Sequence, residues 1–275
     1  MEYNPFKPTA RSTFSWILYD FANTAYSMTV VSFYFSIWVV LELGQRDFYV
    51  SLANGVSMLL VAATMPFLGD LSDYKNNKVK ALLVFTVLCV TGTTFLGIIG
   101  YTVNSISILL PLLLLFYVIA NYSFQAGLVY YNSLLPFVST PKNMGRVSGY
   151  GTGIGYFGAI VGLAVAGIFV DGTFFGNDIK SINGDGSKAA FFSTAALFLL
   201  FSVPIFLYVR EPRHRKPGNW SLKSSFAKIS KSLVDTKKHP GLVRFLIGRL
   251  LYEDGIQTII FFMGVYTQAV MGFTR

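Results

Sequence analysis

Asp20 stands inside an otherwise apolar run, Trp16-Ile17-Leu18-Tyr19-Asp20-Phe21-Ala22-Asn23-Thr24-Ala25-Tyr26, of the kind that crosses a lipid bilayer. An aspartate at the centre of a spanning helix costs about 2.5 to 3.5 kcal/mol on insertion scales, so such groups mark substrate or ion pathways and proton relays. A carboxylate placed there can hold a proton, or the positive end of a solute, and release it. A second acid recurs in Leu251-Tyr252-Glu253-Asp254-Gly255-Ile256-Gln257-Thr258. A shift of 234 residues (254 minus 20) overlays Asp20 on Asp254, Asn23 on Gln257 and Thr24 on Thr258, so both segments read D-x-x-[N/Q]-T. Acid and amide three residues apart share one helix face. The candidate site is therefore Asp20, Asn23, Thr24, Asp254 and Gln257, with Tyr19 and Tyr26 offering hydroxyls or ring faces. The competing reading is an Asp20 that only balances a buried Arg or Lys. Glu253 ranks below Asp254, because Arg249 lies four residues earlier on the same face and pairs with it locally.

Other chemistry finds little to stand on. The single cysteine, Cys89, lies in the middle of an apolar segment, and the two histidines, His214 and His239, fall in one basic stretch, so no metal-binding spacing exists. There is no G-x-S-x-G, H-E-x-x-H or Walker loop. No catalytic residue, metal or cofactor is expected, and the chain does not read as an enzyme.

The elements that must position these residues follow from composition. The 275-residue chain is 53% hydrophobic, 16% aromatic and 13% charged, with mean hydropathy +0.54. Soluble domains carry about 25% charged residues. The fold class expected is an all-α polytopic membrane protein. Spanning helices need about 20 apolar residues, and seven windows qualify: about 14–42, 49–69, 80–101, 106–128, 147–170, 189–209 and 243–271. The first is too long for a cleavable signal peptide, carries Asp20 and lacks a basic start with a cleavage site.

The net charge of +9 gains its meaning from placement. With the N-terminus inside, sixteen of the 22 Lys and Arg fall in inner segments and four (Arg46, Lys180, Lys188 and Arg275) outside, while Arg244 and Arg249 begin the seventh window. That asymmetry predicts an N-in, C-out chain. Basic charge then reports topology, and nucleic acid is not an expected partner. A seven-helix receptor would place its N-terminus outside and conflicts with this distribution.

The expected organisation is a cytoplasmic N-terminus (1–13), a six-helix bundle (14–209), a basic inner linker (210–242) and the first helix of a second bundle (243–275). Within the linker, Leu222, Phe226, Ile229 and Leu233 recur at helical spacing with Lys223, Lys228 and Lys231 on other faces, as in a helix lying on an anionic leaflet. A solvated basic linker is the alternative. The outer segment Gly172–Lys188 is rich in Gly, Asn, Asp and Ser and reads as an exposed turn region. The fifth window holds Gly151/Gly155 and Gly158/Gly162, small residues four apart that let two helices approach closely in lipid, as a static seam or as a sliding face.

Between the second and third windows, Gly69-Asp70-Leu71-Ser72-Asp73-Tyr74-Lys75-Asn76-Asn77-Lys78 resembles the loop signature of the major facilitator superfamily, G-x-L-[AS]-D-R-x-G-[RK]-[RK]. Tyr74 replaces the arginine of that pattern and Asn76 its glycine, although Asn tolerates the left-handed conformation better than most residues. The resemblance implies a gating role for Gly69 and Asp73 between two bundles.

Tyr19-Asp20-Phe21-Ala22-Asn23-Thr24-Ala25-Tyr26, then Gly145-Arg146-Val147-Ser148-Gly149 running on through Gly155-Tyr156 to Gly158, then Tyr252-Glu253-Asp254-Gly255, resemble the facilitator subfamily containing the fungal autophagy-related vacuolar effluxers and their bacterial relatives. The resemblance implies twelve spans in two halves related as parallel repeats about an axis along the membrane normal. This chain would then be a truncated N-terminal portion that lacks five spans of the C-terminal bundle, or one whose remainder is supplied elsewhere. It further implies a proton-coupled secondary transporter working by alternating access on small solutes, with amino-acid efflux the leading class. In that mechanism Asp20 takes up and releases a proton in step with access. A half-transporter or accessory membrane subunit that pairs with another chain is the alternative. The expected location is a bacterial inner membrane, with a vacuolar membrane second; the expected partners are the bilayer, a small-molecule substrate and protons.

Overall fold

The computed structural model describes residues 8–174, 177–178, 184–211, 221–238 and 240–271. Helix dominates because lipid offers backbone groups no partner, and a helix satisfies them within one segment. Helix α1 runs from Ala10 to Glu42, α2 from Asp47 to Lys75, α3 from Lys78 to Thr102, α4 from Ile106 to Ser133, α5 from Met144 to Asp171 and α6 from Ser187 to Tyr208. These six are long and apolar enough to cross a membrane by length and composition. Their outer surfaces carry apolar side chains, such as Leu59, Ile160 and Leu200, that a watery exterior would penalise. The chain is a multi-pass integral membrane protein.

Two further helices follow, α7 (Leu222–Lys237) and α8 (Pro240–Ala269). The seventh expected window, 243–271, is helical within α8 as far as Ala269. Arg244, Arg249, Glu253 and Asp254 lower its hydropathy, and it does not join the six by that measure.

Helix α1 is the central element. Two thirds of its apolar stretch (67%) is buried, against 22 to 44% for the other five. It packs along α5 and α6, while α3 packs along α4 and α6, and α2 along α4. Its start is fixed by a capping box: Ser12 N donates to Thr9 Oγ1 and Thr9 N to Ser12 Oγ, each at 3.1 Å. Asp20 is thus the eleventh residue of the helix, deeper than the window 14–42 implies. Beyond Tyr26 the helix widens into π-helical turns over Ser27–Tyr34 and again over Trp38–Glu42, separated by Phe35–Ile37. Nothing in the apolar pattern signals this change. Such turns are rare and are frequent at functional sites.

The bundle has two ends. At the near end lie the start of α1, the α2–α3 turn and the α4–α5 connection, with Thr13 Oγ1 donating to Val138 O at 2.6 Å. Glu211, just past α6, accepts from the backbone N–H groups of Lys78 and Val79, satisfying two orphan donors at the start of α3. At the far end Glu42 accepts from Ser187 N at 3.1 Å and Ser187 Oγ at 2.8 Å, capping α6 in the same way. A two-residue antiparallel ladder, β1 (Thr173–Phe174) with β2 (Asn177–Asp178), lies beyond α5. It falls within the segment expected as an exposed turn region.

The segment Gly69–Lys78 differs from its expected form. Helix α2 continues through it to Lys75, so Gly69 and Asp73 belong to its last turns and only Asn76 and Asn77 form the connection. Backbone hydrogen bonding within a helix is indifferent to side-chain polarity, so the polar letters did not end it. Asn76 does, in the left-handed conformation (φ 48°, ψ 56°) that the glycine of the pattern would occupy.

Helix α7 forms where the amphipathic linker helix is expected, with Ser221 Oγ accepting from Ser224 N at 3.2 Å. Phe226 and Val234 are exposed. The side chains of Leu222, Ile229 and Leu233 lie outside the described residues.

Candidate functional site

A cavity of about 750 Å³ opens between α1, α2, α4 and α8. Three residues singled out in the sequence, Asp20, Asn23 and Thr24, line it together. The widened turns of α1 add Ser27, Val31 and Ser32; α2 contributes Ser51, Asn54, Gly55 and Met58; α4 contributes Phe124, Gln125 and Leu128; α8 contributes Glu253, Thr258 and Phe262. The wall alternates hydroxyls and amides with a few apolar groups, as a site for a small polar solute does.

Asp20 is only partly covered, and its nearest polar neighbours are Tyr131 and Asn23. Both side chains hydrogen-bond to the Asp20 carboxylate, and the Tyr131 hydroxyl and the Asn23 amide nitrogen are buried beside it. Tyr131 is held from behind, its ring stacked on Trp16 at 4.5 Å and on Tyr19 at 5.2 Å between centroids. Trp16 Nε1 donates to Tyr131 O at 3.1 Å.

The four paired glycines of α5 all face α1. A Cβ at Gly151 would stand 2.8 Å from the Trp16 ring and 3.2 Å from Asp20 Oδ2. One at Gly155 would stand 2.7 Å from Thr24 Oγ1, one at Gly162 2.9 Å from Ala25 Cβ, and one at Gly158 would run into the Phe21 carbonyl. Gly149 and Gly153 face open space. Backbone contact along this seam sets the azimuth of Asp20 and Thr24.

Tyr19 and Tyr26 sit elsewhere than expected. Both are buried in the core and neither lines the cavity. Tyr19 Oη and Thr86 Oγ1 are 2.7 Å apart, and Thr93 Oγ1 donates to Tyr26 Oη at 3.2 Å, so the two tyrosines, seven residues apart, bond two threonines seven apart on α3. The physical reason is azimuth: Tyr19 and Tyr26 share one stripe of α1, and that stripe meets α3, where a hydroxyl partner is in reach.

On α8, the backbone is helical through Asp254 and Gln257, and their side chains lie outside the described residues. Their neighbours Glu253 and Thr258 reach the cavity. Glu253 keeps the local partner expected of it, Arg249 Nε at 3.6 Å, with 48% of its own side chain exposed. A pair so open is a weak one, and it leaves Glu253 available to the cavity wall.

Gly69 and Asp73 lie away from the cavity at the near end. A Cβ at Gly69 would meet nothing within 4 Å, and Asp73 pairs with Lys78 across the turn at 2.9 Å. The residue that reaches the linker is Asp70. It accepts from Lys228 Nζ at 2.9 Å and from Ser225 Oγ, both on α7. The sequence pattern drew attention to Asp73 and passed over Asp70.

Sequence reasoning also missed the contributions of α2 and α4. Asn54 and Asn121 pair across these helices, Asn121 Nδ2 donating to Asn54 Oδ1 at 2.9 Å, and Gln125 lies one turn further along. Amides inside apolar windows were the available signal. Among the described residues no group of His, Cys, Asp and Glu could hold a metal ion.

Comparison with known proteins places these features in a family. Residues 44–275 match the model of the family described as vacuole effluxer Atg22 like. A Bacillus subtilis (strain 168) protein described as an uncharacterized MFS-type transporter, YxiO, is 30% identical over 253 residues, covering 90% of this chain and 58% of the relative. An uncharacterized protein of Aquifex aeolicus (strain VF5) is 28% identical over 255 residues, covering 92% of this chain and 56% of its own length. The chain therefore spans somewhat over half the length of these relatives.

Proposed function

Because the chain belongs to the Atg22-like vacuole effluxer family, related to the major facilitators, we propose that the complete protein is a secondary transporter of small solutes. It works by rocking the α1–α6 bundle against the helices that begin with α8, around a site near the membrane midplane. The observation that carries this reading is the cavity itself. Asp20, Asn23 and Thr24 of the central helix line it together with Glu253, Thr258 and Phe262 of α8, and Asp20 and Thr24 lie against the glycine seam of α5.

Asp20 is the coupling group, alternately loaded with a proton and released as access changes sides. Asn23 and Thr24 hold the solute, and Asp254 and Gln257, the acid and amide of the matching segment, are their proposed counterparts on α8. Gly69 and Asp73, with Lys78, hold the α2–α3 turn shut in one of the two states. The chain enters from the cytoplasm and resides in a bacterial inner membrane, and its solutes are of amino-acid size, exported rather than imported.

The test is Asp20→Asn in the complete protein, reconstituted in liposomes. The substitution keeps shape and most hydrogen-bonding capacity and removes the titrating charge. Net transport driven by a pH gradient should vanish while one-for-one solute exchange persists, because exchange needs no change of protonation. Wild-type behaviour in both assays would refute the role of Asp20.

A further inference from the structure

Of the two side chains that bond the Asp20 carboxylate, Asn23 comes from the same helix and Tyr131 from another, near the end of α4. Tyr131 is 2% exposed, and its ring has little freedom. Trp16 stacks on it at 4.5 Å with an interplanar angle of 11°, and Tyr19 at 5.2 Å and 21°. The 3.1 Å bond from Trp16 Nε1 to the Tyr131 carbonyl fixes its backbone as well. Trp16 and Asp20 are four residues apart on α1, so one helix face carries both the group that clamps the ring and the carboxylate that its hydroxyl meets. Gly151 of α5 closes against this face, where a Cβ would stand 2.8 Å from the Trp16 ring and 3.2 Å from Asp20 Oδ2. The hydroxyl and the carboxylate are thus held together by three helices.

We propose that Tyr131 is a positioning residue that sets the proton affinity of Asp20. The inference rests on the reading of Asp20 as the coupling group and adds the residue that tunes it. A phenol O–H gives a carboxylate a charge-assisted hydrogen bond and gives the protonated carboxyl a weaker, neutral one. Such a bond favours the charged form. Among the described residues about Asp20, the other titratable groups are Glu253, which α8 brings to the same cavity, and Tyr19, whose hydroxyl is turned to Thr86 on α3. The residues that α2 and α5 present there, among them Asn54 and Gly155, do not titrate. Tyr131 and Asp20 both belong to the α1–α6 bundle, so their bond travels with the carboxylate as the bundle rocks and sets a constant baseline. Glu253 belongs to the part that moves relative to it, and its influence changes with access.

The proton itself is the probe. The complete protein in lipid is titrated with pH under attenuated-total-reflection infrared detection, where a protonated carboxyl has a carbonyl stretch that a carboxylate lacks. The titrating band missing from Asp20→Asn belongs to Asp20. Tyr131→Phe keeps the ring, its stacking and the backbone bond to Trp16, and removes only the hydroxyl. In that variant the midpoint of the Asp20 band should rise by about one pH unit, a ten-fold gain in proton affinity, toward the lower end of what a hydrogen bond to a charged group contributes. Tyr19→Phe removes the same atom from the neighbouring ring and should leave the midpoint in place. A second measurement needs no Tyr131 variant: in wild type a tyrosine C–O band should titrate with the same midpoint as the Asp20 band and be lost in Asp20→Asn. A midpoint that stays or falls in Tyr131→Phe, an equal rise in Tyr19→Phe, or no tyrosine band that follows Asp20 overturns the proposal and leaves the coupling reading standing. A midpoint that answers to Tyr131, in a protein whose gradient-driven transport survives Asp20→Asn, supports the proposal and counts against the coupling reading. An Asp20 that never titrates while the protein stays folded defeats both.

Discussion

Replacing Gly158 by Ala adds one methyl group where α5 crosses α1. A Cβ there falls on the Phe21 carbonyl oxygen and 3.0 Å from the carbonyl carbon and Cα, all of them backbone atoms that cannot rotate aside. The helices must move apart or tilt, and overpacking of this kind costs about 1–3 kcal/mol. Working against that, Ala is about 1 kcal/mol better than Gly inside a helix. Gly153→Ala isolates the first effect, because it adds the same methyl to the same helix with nothing within 4 Å of the new atom. The propensity gain cancels between the two variants, so the difference between them is the overpacking itself. At about 2–4 °C per kcal/mol for chains of this size, the midpoints should differ by about 2–12 °C, with Gly158→Ala the lower. The protein carries its own probe: Cys89 is the only cysteine and is fully buried, so a thiol-reactive fluorophore reports unfolding as the temperature rises. Coincident midpoints, or Gly158→Ala above Gly153→Ala, would show that α5 and α1 are not in backbone contact.

Reporter fusions after Lys216 and after Asn183 should score as cytoplasmic and external respectively, given the sixteen-to-four basic asymmetry; the reverse pattern would overturn the N-in orientation. Tyr19→Phe and Thr86→Val should each lower stability by about 0.5–1.5 kcal/mol and be non-additive in the double variant, since they remove one shared hydrogen bond. The same variants should leave solute affinity unchanged, and a lost affinity would return Tyr19 to the site. Asp70→Asn should cost under about 1 kcal/mol, because Lys228 is 64% exposed, yet increase the mobility of a spin label at Ser224 on α7. An unaltered spectrum would mean that the ion pair does not hold the linker helix to α2.

The parts of the fold and site that could be read from sequence share one property: a local cost in lipid. A charge in an apolar run and glycines at four-residue intervals each have meaning on a single helix, and Asp20, Asn23, Thr24, Gly151, Gly155, Gly158 and Gly162 carried it. What the sequence hid depends on which helix stands opposite. Tyr19 and Tyr26 differ little from Asn23 in apparent suitability, and only the position of Thr86 and Thr93 on α3 decides that their hydroxyls turn inward. Asn54 and Gln125 reach the cavity from helices joined to α1 by no sequence pattern, although an amide in an apolar window carries a weaker form of the cost that marks Asp20. Glu253 shows a further limit: a partner four residues away is compatible with facing a cavity when the pair is half open.

The widened turns of α1 change what an internal repeat can mean here. A π-helical turn bonds residue i to i+5, so each carries a residue more than the α-helical turn it replaces. Helix α8 is α-helical from Pro240 to Ala269, whereas α1 leaves that geometry after Tyr26. The offset of 234 residues can therefore keep the two helices in step at Asp20 and Asp254 and at Thr24 and Thr258, and it loses phase from Ser27 onward. Ser27, Val31 and Ser32 line the cavity from these widened turns. The residues added beyond Tyr26 turn a different set of side chains toward the cavity than an uninterrupted α-helix would, while Asp20, Asn23 and Thr24, which precede the first widened turn, keep their register.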